Sequence, residues 1–345
     1  MPEPTQAQPS HALNAPFRWF LTGRTIDLAG TAMTPVTLSL SVLQATGSAN
    51  RMGWVMAASV IPTLVFMLAG GVVADRWQRT RVLVLSSACS GLVGSAMAAM
   101  LLSGQFNLAA MMALSALSGV VSGFNGPALR GIVPELVDPS QVQRANATLA
   151  STRNATRIAG PLLAGLLVST IGGGWALAFD AATSFVAATC FTRLPIITRA
   201  AVHQGIGRDL ADGWAAFRSL RWVWTLSLTY ALVNLLNVGP WQVLGPLVLS
   251  RHHPLVAWGM VQSARAVGLV LASTALIRLR FRNPLVAGLL LGLTMGIPLI
   301  TLGLSDSPVI LAVTAAAGAI GSTASGITGS ASCLVDTGFQ AAAAA

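Results

Sequence analysis

The stretch that decides the fold is Gly-Val-Val-Ala-Asp-Arg-Trp-Gln-Arg-Thr-Arg, residues 71–81. It separates two apolar runs, residues 54–74 and 82–103, each as long as the roughly 20 helical residues that cross a hydrocarbon core. A charged connection between two such runs lies at a membrane face, because charge inside lipid is costly. Loops rich in arginine stay on the cytoplasmic side. The stretch therefore predicts a tight cytoplasmic turn between two membrane spans.

The composition of the whole chain agrees with this prediction. Of the 345 residues, 54% are hydrophobic and 9% are charged, and the positive side of the +10 net charge is arginine alone, because the chain has no lysine. A soluble chain carries about a quarter charged residues, so the sequence predicts a polytopic membrane protein. Most arginines fall at the ends of apolar runs and not on one solvated face, so no nucleic-acid partner is expected.

The apolar runs predict an all-α bundle of about ten membrane spans. With a cytoplasmic N-terminus, thirteen arginines fall in inside loops and only Arg51 and Arg251 fall in outside loops. The opposite orientation would reverse this asymmetry, so we predict a multi-pass protein of the inner membrane with its N-terminus in the cytoplasm. The predicted spans are residues 17–46, 54–74, 82–103, 107–129, 145–170, 174–194, 222–249, 255–277, 285–303 and 308–330.

A polar segment divides the chain into two halves. Residues 17–194 form a six-span half, residues 195–221 form a cytoplasmic linker with an amphipathic helix, and residues 222–340 form a four-span half. Residues 1–16 are predicted to be a disordered tail, and residues 341–345 are an alanine tail, tag or placeholder.

The two halves show the sequence pattern of internal repeats. Trp19 and Trp222 open spans that are 203 residues apart, and Trp54 and Trp258 open the next pair, 204 residues apart. Many transporters are built from such repeats. The second half stops before the counterparts of the fifth and sixth spans, so we expect either a truncated form or a longer natural protein.

Within residues 71–81, the motif Gly-x-x-x-Asp-Arg-x-x-Arg resembles the signature loop between helices 2 and 3 of the major facilitator superfamily of secondary transporters. The resemblance implies that Gly71 permits close helix approach and that Asp75 meets the positive end of a helix in the other half. It also implies a conformational switch whose charge network includes Arg76, Arg79 and Arg81. For the arginines alone, the alternative interpretation is an ordinary cytoplasmic loop that is rich in positive charge.

The fifth span carries a second motif, Gly160-Pro161-x-x-x-Gly165, which resembles the glycine–proline motif of exporters in this superfamily. Small residues let helices approach closely, and proline bends a helix. A closely packed helix that can bend suits alternating access. The alternative is that the motif serves ordinary helix packing. With Pro139, the stretch 144–147 and the stretch 179–185, the motif resembles the macrolide-efflux and enterobactin-exporter-like branch.

Ionisable residues at membrane depth are candidates for function. Arg24 and Asp27 lie three residues apart and share one helix face. Asp27 is a candidate for reversible protonation, if alternating access moves it between an apolar environment and one rich in arginine. A static pair of Asp27 with Arg24 or with Arg157, which would fix helix register, is equally open. Asp180, near the outer end of the sixth span, is expected to have a helix-terminal structural role.

No enzyme chemistry is predicted. The sequence offers no phosphate-binding loop, no metal-ligand spacing and no catalytic triad, so neither a cofactor nor a metal is expected. Without an ATP site, uphill transport must draw on an ion gradient. We therefore predict a monomer in the lipid bilayer that exports a small lipophilic or amphipathic, drug-like compound by proton antiport. A dedicated siderophore exporter, and a non-transporting membrane scaffold or inactive truncated product, are the alternatives.

Overall fold

The computed structural model describes the backbone of residues 14–195, 232–278 and 290–323, together with residues 218, 224 and 228. Within these ranges the chain is almost entirely helical and contains no strand. Most of the predicted linker, residues 195–221, lies outside the described residues. In the signature loop, the surroundings of Gly71 and the side chains of Asp75 and Arg76 also lie outside the described part of the structure.

Residues 14–195 form the first half of the bundle. The predicted turn in residues 71–81 is confirmed as a two-residue connection, because one helix ends at Arg76 and the next begins at Arg79. A 3₁₀ turn, Pro139–Gln141, joins the fifth helix to the sixth. The helices are α1 Ala15–Thr31, α2 Thr34–Thr46, α3 Ala49–Arg76, α4 Arg79–Leu102, α5 Leu108–Leu136, α6 Val142–Thr170 and α7 Gly173–Phe191.

Four further helices are described in the second half: α8 Gly239–His252, α9 Val256–Arg278, α10 Ile297–Leu304 and α11 Pro308–Thr323. Two irregular turns precede α8 and α10, namely the π turn Asn234–Val238 and the 3₁₀ turn Leu293–Gly296. The count of ten spans and the repeat layout stay predictions. Five described segments are long and apolar enough to cross a membrane: Ala15–Thr46, Arg79–Leu102, Leu108–Leu129, Gly173–Phe191 and Val256–Ala275.

The first predicted span, residues 17–46, is broken near its middle into α1 and α2. Pro35 has no amide hydrogen, so the helical hydrogen bond to the carbonyl of Thr31 cannot form. The amide of Met33 instead donates to the carbonyl oxygen of Gly30 at 2.9 Å, which tightens the last turn of α1. The break places backbone turns and short polar side chains in the centre of the bundle.

Three clusters of buried apolar side chains hold the helices together. At the end with the signature loop, Phe20 packs on Phe191 with 5.9 Å between ring centroids. At the opposite end, Met52 and Leu177 belong to a second cluster. The third cluster joins the two halves, because Met33 and Ala164 of the first half pack with side chains of the second. These second-half side chains are Trp241, Trp258 and Leu311.

Large apolar side chains also cover much of the outer surface. Leu92 and Leu271 are each 63% exposed, and Val309 is 72% exposed. In water such an apolar exterior would be unfavourable, whereas lipid tails solvate it. The helices therefore pack as a bundle that is apolar on the outside and carries its ionisable groups inside and at its ends.

The packing gives a direct test of topology, because Asn50 and Ser140 are exposed at opposite ends of the bundle. In a background without the native cysteines, we expect Ser140→Cys to be shielded from a membrane-impermeant maleimide in intact cells. Asn50→Cys should react, because the arginine-rich end stays in the cytoplasm. Labelling of both positions in intact cells would contradict the alternation of spans, and labelling of Ser140→Cys alone would invert the orientation.

Candidate functional site

The centre of the first span contains a buried ion pair. Arg24 Nη1 donates a hydrogen bond to Asp27 Oδ2, and the two side chains are 16% and 3% exposed. Asp27 lies near the middle of the 32-residue segment Ala15–Thr46. Removing one partner of a buried pair typically costs about 3–5 kcal/mol, because the other charge is left uncompensated. The pairing of Asp27 with Arg24 is therefore a strong local constraint on α1.

Two charges from other helices act on this pair. Arg153 of α6 is close enough to Arg24 to repel it, and Asp27 is close enough to Asp180 of α7 to repel that carboxyl group. Arg157, one turn after Arg153 on α6, is exposed. The structure thus places Asp27 against Arg24 in an ion pair and leaves the side chain of Arg157 on an accessible face of α6.

Asp180 enters the site where the first span is broken. Its Oδ2 accepts a hydrogen bond of 2.7 Å from Thr34 Oγ1, between residues 146 positions apart in sequence. Its Oδ1 is buried and has no hydrogen-bond partner within the described part of the chain. A Cβ atom on Gly30 would lie 2.5 Å from Asp180 Oδ1 and 2.1 Å from Thr183 Oγ1. Only glycine at position 30 therefore lets α7 come this close.

The position of Asp180 differs from the helix-terminal role that the sequence suggested. α7 begins at Gly173, so Asp180 lies about two turns inside the helix and faces the centre of the first span. Sequence reasoning missed the contact because it joins two distant helices. The local signals were present, since Gly30 and Pro35 flank the point where α1 ends and α2 begins.

These groups form a polar column along the first span. From Arg24 to Thr34 the helical rise is about 15 Å, roughly half of a hydrocarbon core about 30 Å thick. Within the described ranges the column holds two carboxyl groups, and only one of them is paired with a cation: Asp27 is bonded to Arg24, whereas Asp180 accepts a hydrogen bond from Thr34. Adding one proton to this set would remove an uncompensated buried charge.

The exporter-like motif of α6 packs backbone against backbone. A Cβ atom on Gly160 would lie 2.6 Å from Ala32 Cβ, at the break between α1 and α2. One turn further, Gly165 faces α9, where a Cβ atom on Gly259 would lie 2.3 Å from the carbonyl oxygen of Pro161. The motif Gly160-Pro161-x-x-x-Gly165 therefore brings α6 against the first span on one side and against the second half on the other.

In the signature loop, the structure describes the side chains of Arg79 and Arg81. Arg79 Nη1 donates to Glu135 Oε1 at 2.9 Å and also to the carbonyl oxygen of Gly131, which ties the start of α4 to the end of α5. A side chain on Gly131 would overlap the guanidinium group of Arg79. Arg81 is exposed. The acid Glu135 is a partner of Arg79 that the sequence motif did not indicate.

A bundle of membrane-length helices with ionisable groups buried at its centre is the architecture of a polytopic membrane protein. The sequence model of the Major Facilitator Superfamily matches residues 20–345. The chain belongs to this superfamily, as the signature loop predicted. Because the family consists of multi-pass transporters, the chain is a multi-pass protein of the inner membrane.

Two of the proteins that the chain resembles are exporters by name. The chain is 26% identical over 318 residues to the multidrug efflux pump Tap of Mycobacterium tuberculosis, across 85% of this chain and 73% of Tap. It is 26% identical over 209 residues to the enterobactin exporter EntS of Citrobacter koseri, across 59% of this chain and 49% of that protein. The chain thus spans about half the length of the enterobactin exporter. The predicted likeness to this branch is confirmed.

Solved structures support the fold. A point mutant of the nucleoside transporter NupG has a TM-score of 0.68 at 16% identity, over 91% of this chain and 82% of that one. A bacterial homologue of the human lysosomal transporter Spinster has a TM-score of 0.65 at 13% identity, over 90% and 74% of the two chains. At these identities the likeness concerns the fold alone.

The contact between α6 and α9 can be tested with matched glycine substitutions. We expect Gly259→Ala to lower the free energy of unfolding by about 1–3 kcal/mol, because the new methyl group meets backbone that cannot move aside as a side chain can. The control is Gly126→Ala in α5, where a Cβ atom would have no neighbour within 4 Å. The control should be neutral or gain up to about 1 kcal/mol from helix propensity. Equal thermal melting shifts for the two variants in nanodiscs would contradict the packing argument.

Proposed function

We propose that this chain is a secondary active exporter of a small lipophilic or amphipathic, drug-like compound, working by proton antiport with alternating access. The proposal is based on the group of Asp27, Asp180 and Arg24, which lies around the break in the first span. The similarity to a multidrug efflux pump supports export of a drug-like compound. A sequence without an ATP site supports coupling to a gradient.

Asp27 is the proposed proton carrier, with Arg24 as its counter-ion in this conformation. Protonation of Asp27 would release Arg24, which could then turn toward solvent or toward another anion. Asp180 is added to the candidates because its Oδ1 atom is buried and its carboxyl group is hydrogen-bonded only to Thr34 among the described residues. Arg157, exposed on the neighbouring α6, is the proposed counter-ion of Asp27 in the alternative conformation.

Two motifs are proposed to carry the conformational change. Gly160, Pro161 and Gly165 give α6 a smooth surface against the first span and α9, along which helices can shift with little steric resistance. The loop with Gly71, Asp75, Arg76, Arg79 and Arg81 is the proposed switch between states. The bond from Arg79 to Glu135 gives that loop a fixed anchor on α5.

We further propose a cytoplasmic N-terminus and a monomeric unit. A dedicated siderophore exporter is the second candidate, and the similarity to an enterobactin exporter favours it. The two candidates differ in substrate and share the coupling mechanism.

The coupling role of the carboxyl groups is tested in proteoliposomes with a panel of cationic, neutral and anionic lipophilic fluorophores. We expect Asp27→Asn to abolish efflux driven by a pH gradient and to spare downhill exchange, because an amide cannot exchange a proton. Asp180→Asn should also reduce efflux driven by the pH gradient while sparing downhill exchange. Asp138→Asn is the control, since Asp138 is exposed beyond the end of α5. Unchanged gradient-driven efflux in both buried variants would contradict proton coupling at this site.

A double variant separates coupling from a static structural pair. Asp27→Asn leaves the buried Arg24 uncompensated, at a cost of about 3–5 kcal/mol, whereas Arg24→Gln with Asp27→Asn leaves no buried charge. We expect the double variant to recover the melting temperature that Asp27→Asn lowers, to keep downhill exchange and to remain uncoupled. Recovery of gradient-driven efflux together with stability would identify the pair as structural only.

A further inference from the structure

A small cleft opens within the second half beside Arg265 of α9. Its walls also contain Asn237, Trp241, Met295 and Ser322. Together with Arg265 these residues form the Arg265 cleft. Arg265 follows Val256, the first residue of α9, by a helical rise of about 14 Å. This rise places the guanidinium group well inside a hydrocarbon core about 30 Å thick.

The charge of Arg265 is not compensated by an acid within residues 14–195, 232–278 and 290–323. Its guanidinium group lies over the Trp241 ring, 5.9 Å from the ring centroid. The described buried or paired acids have other partners: Asp27 has Arg24, Glu135 has Arg79, Asp180 has Thr34 and Asp306 has His252. An ionisable residue left in this condition at membrane depth marks a ligand or ion site.

The ring of Trp241 is held rigidly next to this charge. Trp241 Nε1 donates to Gln262 Oε1 at 2.7 Å, and Gln262 Nε2 donates to Gln242 Oε1 at 3.4 Å. The Trp258 ring packs against Trp241 with 5.2 Å between centroids and a tilt of 49°. Asn237 Nδ2 donates to the carbonyl oxygen of Met295 at 2.6 Å. The cleft thus combines a fixed aromatic wall with one cation.

We propose that the Arg265 cleft binds the anionic group of an amphipathic compound, with Arg265 as the partner of the anion. The proposal rests on the proposed export function, because the compound bound is the one exported. A guanidinium group offers two parallel hydrogen bonds that match a carboxylate. The cleft has a volume of about 10 Å³, so it receives only the anionic group and the rest of the compound extends outside it. An anion bound there removes the cost of the buried charge.

The test measures binding to the whole chain in phosphatidylcholine nanodiscs without any ion gradient. Radiolabelled 2-naphthoate and 2-naphthamide serve as probes, because they share ring and size and differ in charge. We expect the wild type to bind 2-naphthoate at least about tenfold more tightly than 2-naphthamide. Arg265→Gln should weaken 2-naphthoate binding about 10- to 100-fold, the value of a charged hydrogen bond, and leave 2-naphthamide unchanged. Arg251→Gln, at an exposed arginine, should change neither probe.

Three results would overturn the proposal. The first is equal wild-type affinity for the two probes, and the second is an equal loss of both in Arg265→Gln. The third is 2-naphthoate binding that phosphatidylglycerol weakens in the wild type and not in Arg265→Gln, which would assign the cleft to a lipid headgroup. If Arg265→Gln does not fold, Arg265→Lys replaces it and should weaken 2-naphthoate alone, because lysine keeps the charge and loses the paired donors. Binding through Arg265 in a chain without gradient-driven efflux would refute the proposed function and leave this site intact.

Discussion

The backbone contact of α6 with both halves is the constraint on which the rest of the structure depends. Gly160 meets Ala32 at the break in the first span, and Gly259 of α9 meets the carbonyl oxygen of Pro161. Lipid tails are as apolar as leucine, so helices in a membrane associate through such close packing of small residues and not through a hydrophobic driving force. Larger side chains at these positions would separate α6 from both neighbours. The break and α9 would then lose their common support.

The acids of the polar column are tolerated in the middle of the bundle because each of them has a specific contact close by. Pro35 interrupts the first span, and the turn that results presents Thr34 to Asp180, while Gly30 leaves room for that carboxyl group. Asp27 has its own partner one turn earlier in Arg24. Each acid is therefore held by one short contact from α1 or α2. A movement at the break would change the surroundings of Asp180, because Thr34 lies just beyond it, whereas Asp27 and Arg24 both lie on α1 and move together.

The sequence predicted the class of the fold and the local motifs, and it could not predict the long-range partners. The turn between Arg76 and Arg79 was predicted from the charged residues between two apolar runs. The close packing of the α6 motif was predicted from its small residues and its proline. Asp180 with Thr34 and Arg79 with Glu135 join residues 146 and 56 positions apart, and no local pattern encodes such pairs. The break in the first span was within reach, because Pro35 removes a helical hydrogen bond, but length and hydropathy alone indicated one long span.

The two candidate sites have opposite charge imbalances, and this has an energetic consequence for transport. The column in the first half holds two acids for one bonded arginine, and the Arg265 cleft holds a cation with no acid among its described neighbours. A proton that enters carries positive charge into the cell, and an anion that leaves carries negative charge out of it. Both movements make the inside of the cell more positive by one charge. At an inside-negative potential, each such charge is worth about 2.3 kcal/mol per 100 mV. The export of an anion by proton antiport would therefore draw on the membrane potential twice in each cycle, as well as on the pH gradient. Because Gly259 joins α9 to α6, and Gly160 joins α6 to the break, the same helix contacts that support the fold also connect the helix that carries Arg265 with the polar column.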